Sequence, residues 1–311
     1  MKKFILALAA LFTAASMISA QDMAEATELY NNGATALTTK NYTGALEYFQ
    51  KALEMGTAIG ADADELVANC KNVIPGVSLQ IAKDMIKEGK FDEAAAQLEA
   101  ASKIAEEYEN AEVAEDAKSL VPDLWMRKGA AALKIKDFAA AADGFAKSYA
   151  ADTTNGKTAL KLGQVLGAQG KIPEALDAFQ HAINNGEEEA AKEQISTIYV
   201  KEANTAFKAN KLADAVKAAE TANSYADNAT AYLIAGQASQ KLSKNADAIS
   251  YFEKYLEMKP DASNAGAITF TVAALYQGAN NKAKALEYYK KVENDAKFGA
   301  QAKQMITALN K

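Results

Sequence analysis

The stretch GKFDEAAAQL at residues 89–98 recurs, with variations, at six other places in this chain of 311 residues. The related stretches are KNYTGALEYF (40–49), KDFAAAADGF (136–145), GKIPEALDAF (170–179), NKLADAVKAA (210–219), KNADAISYF (244–252) and NKAKALEYY (281–289). When they are aligned on a shared alanine, the intervals are 49, 47, 34, 40, 33 and 37 residues. Self-similarity at periods of about 20 to 50 residues predicts a chain built from repeated supersecondary units.

The composition favours helix in every unit. Half of the residues are hydrophobic, and the chain has only four prolines and 17 glycines. Alanine, lysine, glutamate and leucine are abundant, and these residues are strong helix formers. No stretch shows the alternation of polar and apolar residues that marks a half-buried strand. The sequence therefore predicts an all-α fold.

The spacing and the residue types resemble those of the tetratricopeptide repeat, a pair of antiparallel helices of about 34 residues. The third unit shows the pattern of large and small residues in Trp125, Gly129, Phe138, Ala141 and Phe145, and the sixth in Tyr232, Gly236, Ala248, Phe252 and Pro260. The resemblance implies a right-handed superhelical solenoid of antiparallel helix pairs. Small residues let the two helices approach closely, and large residues fill the gaps. Gly129 and Ala141 are the predicted small positions, and Phe138 and Phe145 the predicted fillers.

We expect one solenoid over residues 21–311. Its units are predicted at 26–59, 75–108, 122–155, 156–189, 196–229, 229–262 and 266–299, with an extra helix at 61–74 and a C-terminal capping helix at 299–309. Proline suits the first turn of a helix and disrupts its interior. Pro75 and Pro122 are therefore expected to begin the second and third units, Pro173 to begin a second helix, and Pro260 to follow one. The register of the second, fifth and seventh units stays open.

Residues 1–20 have the features of a secretory signal peptide. Lys2 and Lys3 precede an apolar run, and Ala20 offers a small residue at the cleavage site. The apolar run is shorter than the roughly 20 residues that a membrane-spanning helix needs. We expect export to the periplasm, with the cell exterior or the outer membrane as alternatives. Cleavage changes the formal net charge from −6 to −8 because two lysines are lost. Such acidity argues against nucleic acid as a partner.

Catalytic chemistry has little support in the sequence. The chain has one histidine, His181, and one cysteine, Cys70, and it lacks a glycine-rich phosphate loop, metal-ligand spacing or a nucleophile motif. We therefore expect no enzymatic activity, no cofactor and no metal site. A single cysteine also excludes an internal disulfide.

The resemblance implies that the first helices line a groove for a protein or peptide partner. With the small residue numbered eight, position five is apolar in all seven units: Tyr30, Leu79, Met126, Leu160, Val200, Leu233 and Phe270. Flanking groove positions carry nine cations, against the single acid Asp123: Lys83, Lys87, Arg127, Lys134, Lys157, Lys161, Lys201, Lys208 and Lys241. The sequence predicts an apolar stripe flanked by cations, suited to a partner segment with acidic groups or a free carboxylate.

Other interpretations of the same residues stay open. Position five can be additional core, and lysines on helices are often a solvated surface. The protein could also act as a self-associating spacer of the cell envelope, or bind an anionic glycan or lipid through its lysines. The family's carboxylate clamp for C-terminal peptides requires a lysine at position five, so it does not carry over to this chain.

Overall fold

The computed structural model describes residues 20–310, and all regular secondary structure in that range is helical. The predicted all-α fold is therefore confirmed. The described chain divides into two compact units, with the boundary between Thr153 and Thr154. Within each unit, consecutive helices pack against each other as antiparallel pairs joined by short turns. The predicted signal peptide lies outside the described residues except for Ala20, which begins the first helix.

The described part of the first unit has seven α-helices and one short 3₁₀ helix, Ala61–Ala63, between α2 and α3. The α-helices are α1 (Ala20–Thr38), α2 (Tyr42–Ile59), α3 (Asp64–Lys87), α4 (Phe91–Glu107), α5 (Ala111–Ser119), α6 (Val121–Lys134) and α7 (Phe138–Ala151). The described part of the second unit has nine: α8 (Gly156–Ala168), α9 (Ile172–Asn184), α10 (Glu188–Lys208), α11 (Leu212–Tyr225), α12 (Ala229–Lys241), α13 (Asn245–Met258), α14 (Ala265–Gly278), α15 (Lys282–Lys291) and α16 (Gly299–Leu309).

The same glycine–phenylalanine contact closes four of the helix pairs. A Cβ added to the glycine would lie 2.6–2.8 Å from the nearest ring carbon in the pairs Gly33–Phe49, Gly129–Phe145, Gly163–Phe179 and Gly236–Phe252. Each of these rings is at most 1% exposed. Because a side chain on the first helix would collide with the ring, only glycine permits this depth of packing. The recurring pattern of the sequence is thus the pattern of this contact.

The turns between paired helices also repeat. Lys40, Lys136 and Asn280 adopt left-handed conformations with φ of 58°, 62° and 58°. The next residue in each turn caps the following helix, and the side chain of Asp137, for example, accepts a hydrogen bond of 3.0 Å from the backbone N–H of Ala140. Such caps satisfy backbone donors that the first helical turn leaves unpaired. This explains the Asn or Asp just before α2, α7 and α15.

The structure differs from the sequence prediction at Pro75. The prediction places a boundary there, but α3 runs unbroken from Asp64 to Lys87 with Pro75 buried inside it. Proline removes one helical hydrogen bond. The apolar face nevertheless continues through it, with Ile74 and Val77 in one core cluster and Leu79 in the next. Burial of this continuous face offsets the missing hydrogen bond. The predicted extra helix at 61–74 is therefore the first part of a longer helix.

Phe138 is a second difference. It was predicted to fill the space between α6 and α7, but it begins α7 and its side chain is 37% exposed. The close contact is made instead by Gly144, where a Cβ would lie 2.5 Å from the backbone nitrogen of Gly129. The two helix backbones therefore touch at these two glycines. Ala141 and Phe145 are fully buried, as their predicted roles require.

The chain ends in α16, which has the bounds that the sequence predicts for a final helix. Its buried Ala302 and half-buried Met305 and Ile306 pack on the core cluster formed by α14 and α15. Over residues 20–310, no helix combines the length and apolar content needed to cross a bilayer.

Candidate functional site

The seven apolar residues at position five lie at the edges of the cores. Leu79 is buried, and the other six are half-buried. The ring of Tyr30 packs edge-on against Phe49 with centroids 5.2 Å apart. Phe270 packs in the same way on Tyr289 at 5.2 Å and stacks on Phe298 at 5.7 Å. Position five thus contributes to the cores and leaves part of most side chains accessible.

Three of the four predicted groove cations of the first unit have carboxylate partners. Lys87 Nζ lies 2.8 Å from Asp84, and Arg127 Nε lies 2.7 Å from Asp123. Lys83 Nζ lies 3.8 Å from a carboxylate oxygen of Asp116. Their positive charge is therefore partly neutralised within the chain. Lys134, at the end of α6, is exposed and makes no ion pair with any residue in the described range.

The second unit presents its cations differently. Lys157 and Lys161 lie four residues apart on α8, and Lys201 and Lys208 lie seven apart on α10, so each pair shares one helix face. All four side chains are exposed, and none forms an ion pair within 4 Å among residues 20–310. The fifth, Lys241, lies over the ring of Phe207, with its Nζ 4.7 Å from the ring centroid. We call the four residues Lys157, Lys161, Lys201 and Lys208 the lysine face.

A cleft of about 1010 Å³ is lined by residues of the α8–α9 pair and of the α10–α11 pair. Its apolar lining includes Ile172, Phe179, Ile198 and Tyr199, and small residues such as Gly167 widen it. Of the sixteen predicted groove residues, the cleft contains only Lys201. Sequence reasoning therefore named only one residue of its lining.

The sequence does carry a signal for the cleft. The alanines of the fourth and fifth units are 40 residues apart instead of about 34. In the structure α10 has 21 residues and α8 has 13. The extra length lies in α10, which lines the cleft from Gln194 to Ala209.

The C-terminal part of the second unit contains a half-buried tyrosine–carboxylate cluster. The hydroxyls of Tyr276 and Tyr288 each donate a hydrogen bond of 2.8 Å to the same oxygen of Glu253. Burial, together with this carboxylate, raises the pKa of Tyr276 to about 12. The same two causes raise the pKa of Tyr288. The cluster joins α13, α14 and α15, so it has a structural role.

Neither of the remaining reactive groups forms a chemical site. Cys70 is fully buried, and burial raises the pKa of its thiol to about 11. His181 is exposed on α9. Over the part of the chain that the structure describes, no group of three or more histidine, cysteine, aspartate or glutamate side chains could hold a metal ion.

Helix pairs closed by a glycine under a phenylalanine ring, and repeated along the chain, define a helical-repeat protein. Residues 200–263, which run from α10 through α13, match the family model described as tetratricopeptide repeat. This segment therefore matches the tetratricopeptide repeat that the sequence predicts. No curated protein matches the sequence.

Three solved structures show how far the similarity to other proteins extends. The crystal structure of the MamA protein is 21% identical, covers 59% of this chain and 96% of its own, and has a TM-score of 0.36. The TPR2AB domain of yeast Sti1, solved in a complex with pHSP90, is 18% identical, covers 93% and 100%, and has a TM-score of 0.35. YrrB, described as a TPR protein with an unusual peptide-binding site, is 17% identical, covers 58% and 91%, and has a TM-score of 0.32.

Proposed function

We propose that this protein is a non-enzymatic scaffold that binds a partner protein or peptide carrying acidic groups. The lysine face carries the proposal. Lys157, Lys161, Lys201 and Lys208 stay exposed and unpaired within residues 20–310 of a chain whose formal net charge is −6. Elsewhere on the molecule, many lysines are paired with nearby acids, as Lys103 is with Glu99. The unpaired cations leave charge available for a partner.

Half-buried apolar residues accompany these cations. Leu160 precedes Lys161 on α8, and Val200 precedes Lys201 on α10. A partner segment can therefore combine apolar contact with charge-assisted hydrogen bonds from the lysines. An acidic partner would be drawn to this face, and the attraction would weaken with salt.

The test compares two double variants that change the net charge equally. Lys157→Glu with Lys161→Glu reverses charge on the lysine face, and Lys282→Glu with Lys290→Glu does so at exposed positions of α15. Each chain, spanning residues 21–311, is immobilised and exposed to envelope extract at low and high salt. Captured proteins are identified by mass spectrometry.

We expect one discrete partner that is retained at low salt, is lost at high salt, and is captured by the α15 variant but not by the lysine-face variant. Capture that is indifferent to both double variants would overturn the proposal. Capture of a glycan or lipid with no protein would replace the protein partner with another anionic ligand. A chain that binds only itself would support the spacer role instead.

We also propose that the protein is exported and acts in the periplasm. The support is the composition of residues 1–20, with two lysines ahead of an apolar run. Cleavage after Ala20 would leave α1 almost complete, since that helix begins at Ala20. N-terminal sequencing of the protein from a periplasmic fraction should begin at Gln21. An intact Met1 in the cytoplasmic fraction would refute export.

A further inference from the structure

We propose that Asn185 is a site of spontaneous covalent modification, at which the side-chain amide is converted through a succinimide to aspartate and isoaspartate. The reaction is fastest where glycine follows asparagine, because glycine has no side chain to shield the attacking backbone nitrogen. The chain has three such sequences, Asn32–Gly33, Asn155–Gly156 and Asn185–Gly186. The structure places them in different environments, and only the third is open to the reaction. The proposal involves no residue of the lysine face and does not depend on it.

The chemistry needs only the two residues and water. The nitrogen of Gly186 loses its proton to solvent and attacks Cγ of Asn185, which is an intramolecular step because the residues are adjacent. A C–N bond forms, the Cγ–Nδ2 bond breaks, and Nδ2 leaves as ammonia. Water then opens the five-membered ring at one of its two carbonyls. One opening gives aspartate, and the other gives isoaspartate, whose main chain runs through Cγ.

Two of the three sites have the same local sequence, Asn-Asn-Gly, at residues 31–33 and 184–186. Residues 31–33 lie inside α1, where Gly33 is buried beneath the ring of Phe49. Closing the succinimide ring rotates the asparagine backbone out of the helical conformation. Helix α1 therefore has to open before Asn32 can react.

Asn155 is restrained in a different way, as the cap of α8. Its side-chain oxygen accepts a hydrogen bond of 3.1 Å from the backbone N–H of Thr158. The attacking nitrogen would be that of Gly156, which is a buried residue and donates to the carbonyl of Thr154 at 3.1 Å. Both reacting groups of this site are therefore held by hydrogen bonds.

Asn185 lies in the turn between α9 and α10, and its φ of −118° and ψ of 31° are not helical. Gly186 is exposed and has a φ of 91°. Its nitrogen lies 3.4 Å from the carbonyl oxygen of Ile183, against 3.1 Å for the equivalent bond of Gly170, so the attacking nitrogen is weakly held. The amide of Asn185 donates to the backbone oxygen of His181 at 2.8 Å, on the surface, where water can replace this bond.

The products fit the turn less well than asparagine does. Both place a carboxylate at the C-terminal end of α9, where the helix dipole disfavours negative charge, and close to Glu187 and Glu188. Isoaspartate also lengthens the backbone of the turn. The backbone oxygen of Asn185 packs against Gly156 at the start of α8, and even an added Cβ there would collide with it. The modification should therefore lower the melting temperature.

The experiment follows all three sites in one sample. The chain spanning residues 21–311 is incubated at pH 8 and 37 °C, either native or in concentrated urea, and is then digested with trypsin. The sites fall on separate peptides, residues 21–40, 148–157 and 172–192, each of which ends in lysine. Mass spectrometry measures the loss of the amide, and chromatography separates the aspartyl and isoaspartyl forms.

In the native chain we expect Asn185 to convert at least about tenfold faster than Asn32, because Asn32 reacts only when α1 opens. Asn155 should also be slower than Asn185. In urea this protection is lost, so the two identical tripeptides should convert at rates within about twofold of each other. A native Asn185 that converts no faster than Asn32 or Asn155 would overturn the proposal.

Two variants test the effect on stability. Asn185→Gln blocks the reaction because glutamine would have to close a six-membered ring, and Asn32→Gln is the matched control at an exposed position of α1. After incubation, the melting temperature of wild type and of Asn32→Gln should fall below that of the fresh chains. Asn185→Gln should keep its initial value. A fall in Asn185→Gln equal to that of wild type would contradict the role of Asn185 in the loss of stability.

Discussion

Gly144 of α7 and Gly129 of α6 bring two helix backbones into direct contact. A Cβ on Gly144 would lie 2.5 Å from the backbone nitrogen of Gly129 and 2.7 Å from its Cα. Neither atom can move without displacing the whole helix. On its other side Gly129 faces the ring of Phe145, and a Cβ there would lie 2.8 Å from Cδ1. The pair α6–α7 is therefore constrained at both glycines.

Gly144→Ala should destabilise the first unit by about 1 to 3 kcal/mol, because the added methyl group forces α6 and α7 apart. Trp125 is the only tryptophan and lies on α6, so its fluorescence during urea unfolding reports on this pair. The control is Gly76→Ala on α3, where a Cβ would meet nothing within 4 Å. That change should stabilise by up to about 1 kcal/mol, since alanine is the better helix former. Equal effects of the two substitutions would contradict the close backbone contact.

Ala141→Leu should also destabilise the α6–α7 pair, by about 1 to 3 kcal/mol, because Ala141 is fully buried and its site has no room for a larger side chain. Ala139, two residues away on the same helix, is exposed. Ala139→Leu should change the melting temperature little. A melting temperature that Ala141→Leu leaves unchanged would show that the helix pair is packed differently.

The tyrosine cluster predicts a titration behaviour. In wild type, Tyr276 and Tyr288 should ionise later than exposed tyrosines, because each hydroxyl donates to Glu253 and is partly buried. Glu253→Gln removes the negative charge, so the pKa of both tyrosines should fall. The change in absorbance at 295 nm between pH 9 and 12 measures this. A titration curve identical to that of wild type would argue against the cluster.

The same cluster predicts how stability depends on pH. The pKa of Tyr276 is raised to about 12 from its ordinary value of 10.0. The folded state thus holds this proton more tightly than the unfolded state does. The associated stability is complete below pH 10 and is lost as the pH rises toward 12. Urea unfolding at pH 9 and 11 should show a smaller decrease for Tyr276→Phe than for wild type, since phenylalanine does not ionise.

Cys70 should resist thiol reagents in the native protein. It is fully buried, and burial raises its pKa to about 11, so little thiolate is present at pH 8. Labelling with a disulfide reagent should be slow in buffer and rapid in concentrated urea. Stoichiometric labelling within seconds in the absence of urea would mean that the core around α3 opens readily.

The helix pairs could be predicted from the sequence because their packing depends on the local spacing of small and large residues. A glycine sixteen residues before a phenylalanine, as in Gly236 and Phe252, places one beneath the other in a hairpin of fixed geometry. The misassignments occurred where non-local packing overrides a local rule. Pro75 is tolerated inside α3 because it is buried together with Ile74 and Val77 on a continuous apolar face. The cleft was not predicted because it lies between two helix pairs and depends on the length of α10.

The unbroken α3 has a consequence for how the first unit opens. In repeat proteins, stability is approximately a sum over units and their interfaces, and ends can fray one repeat at a time. Here one helix supplies Ile74 to one core and Leu79 to the next, so the first helix pair cannot detach without exposing part of its neighbour. Backbone amides before and after Pro75 should then exchange with deuterium through a single shared opening event. The first two repeats should therefore unfold as one cooperative unit, because the continuous helix α3 belongs to both.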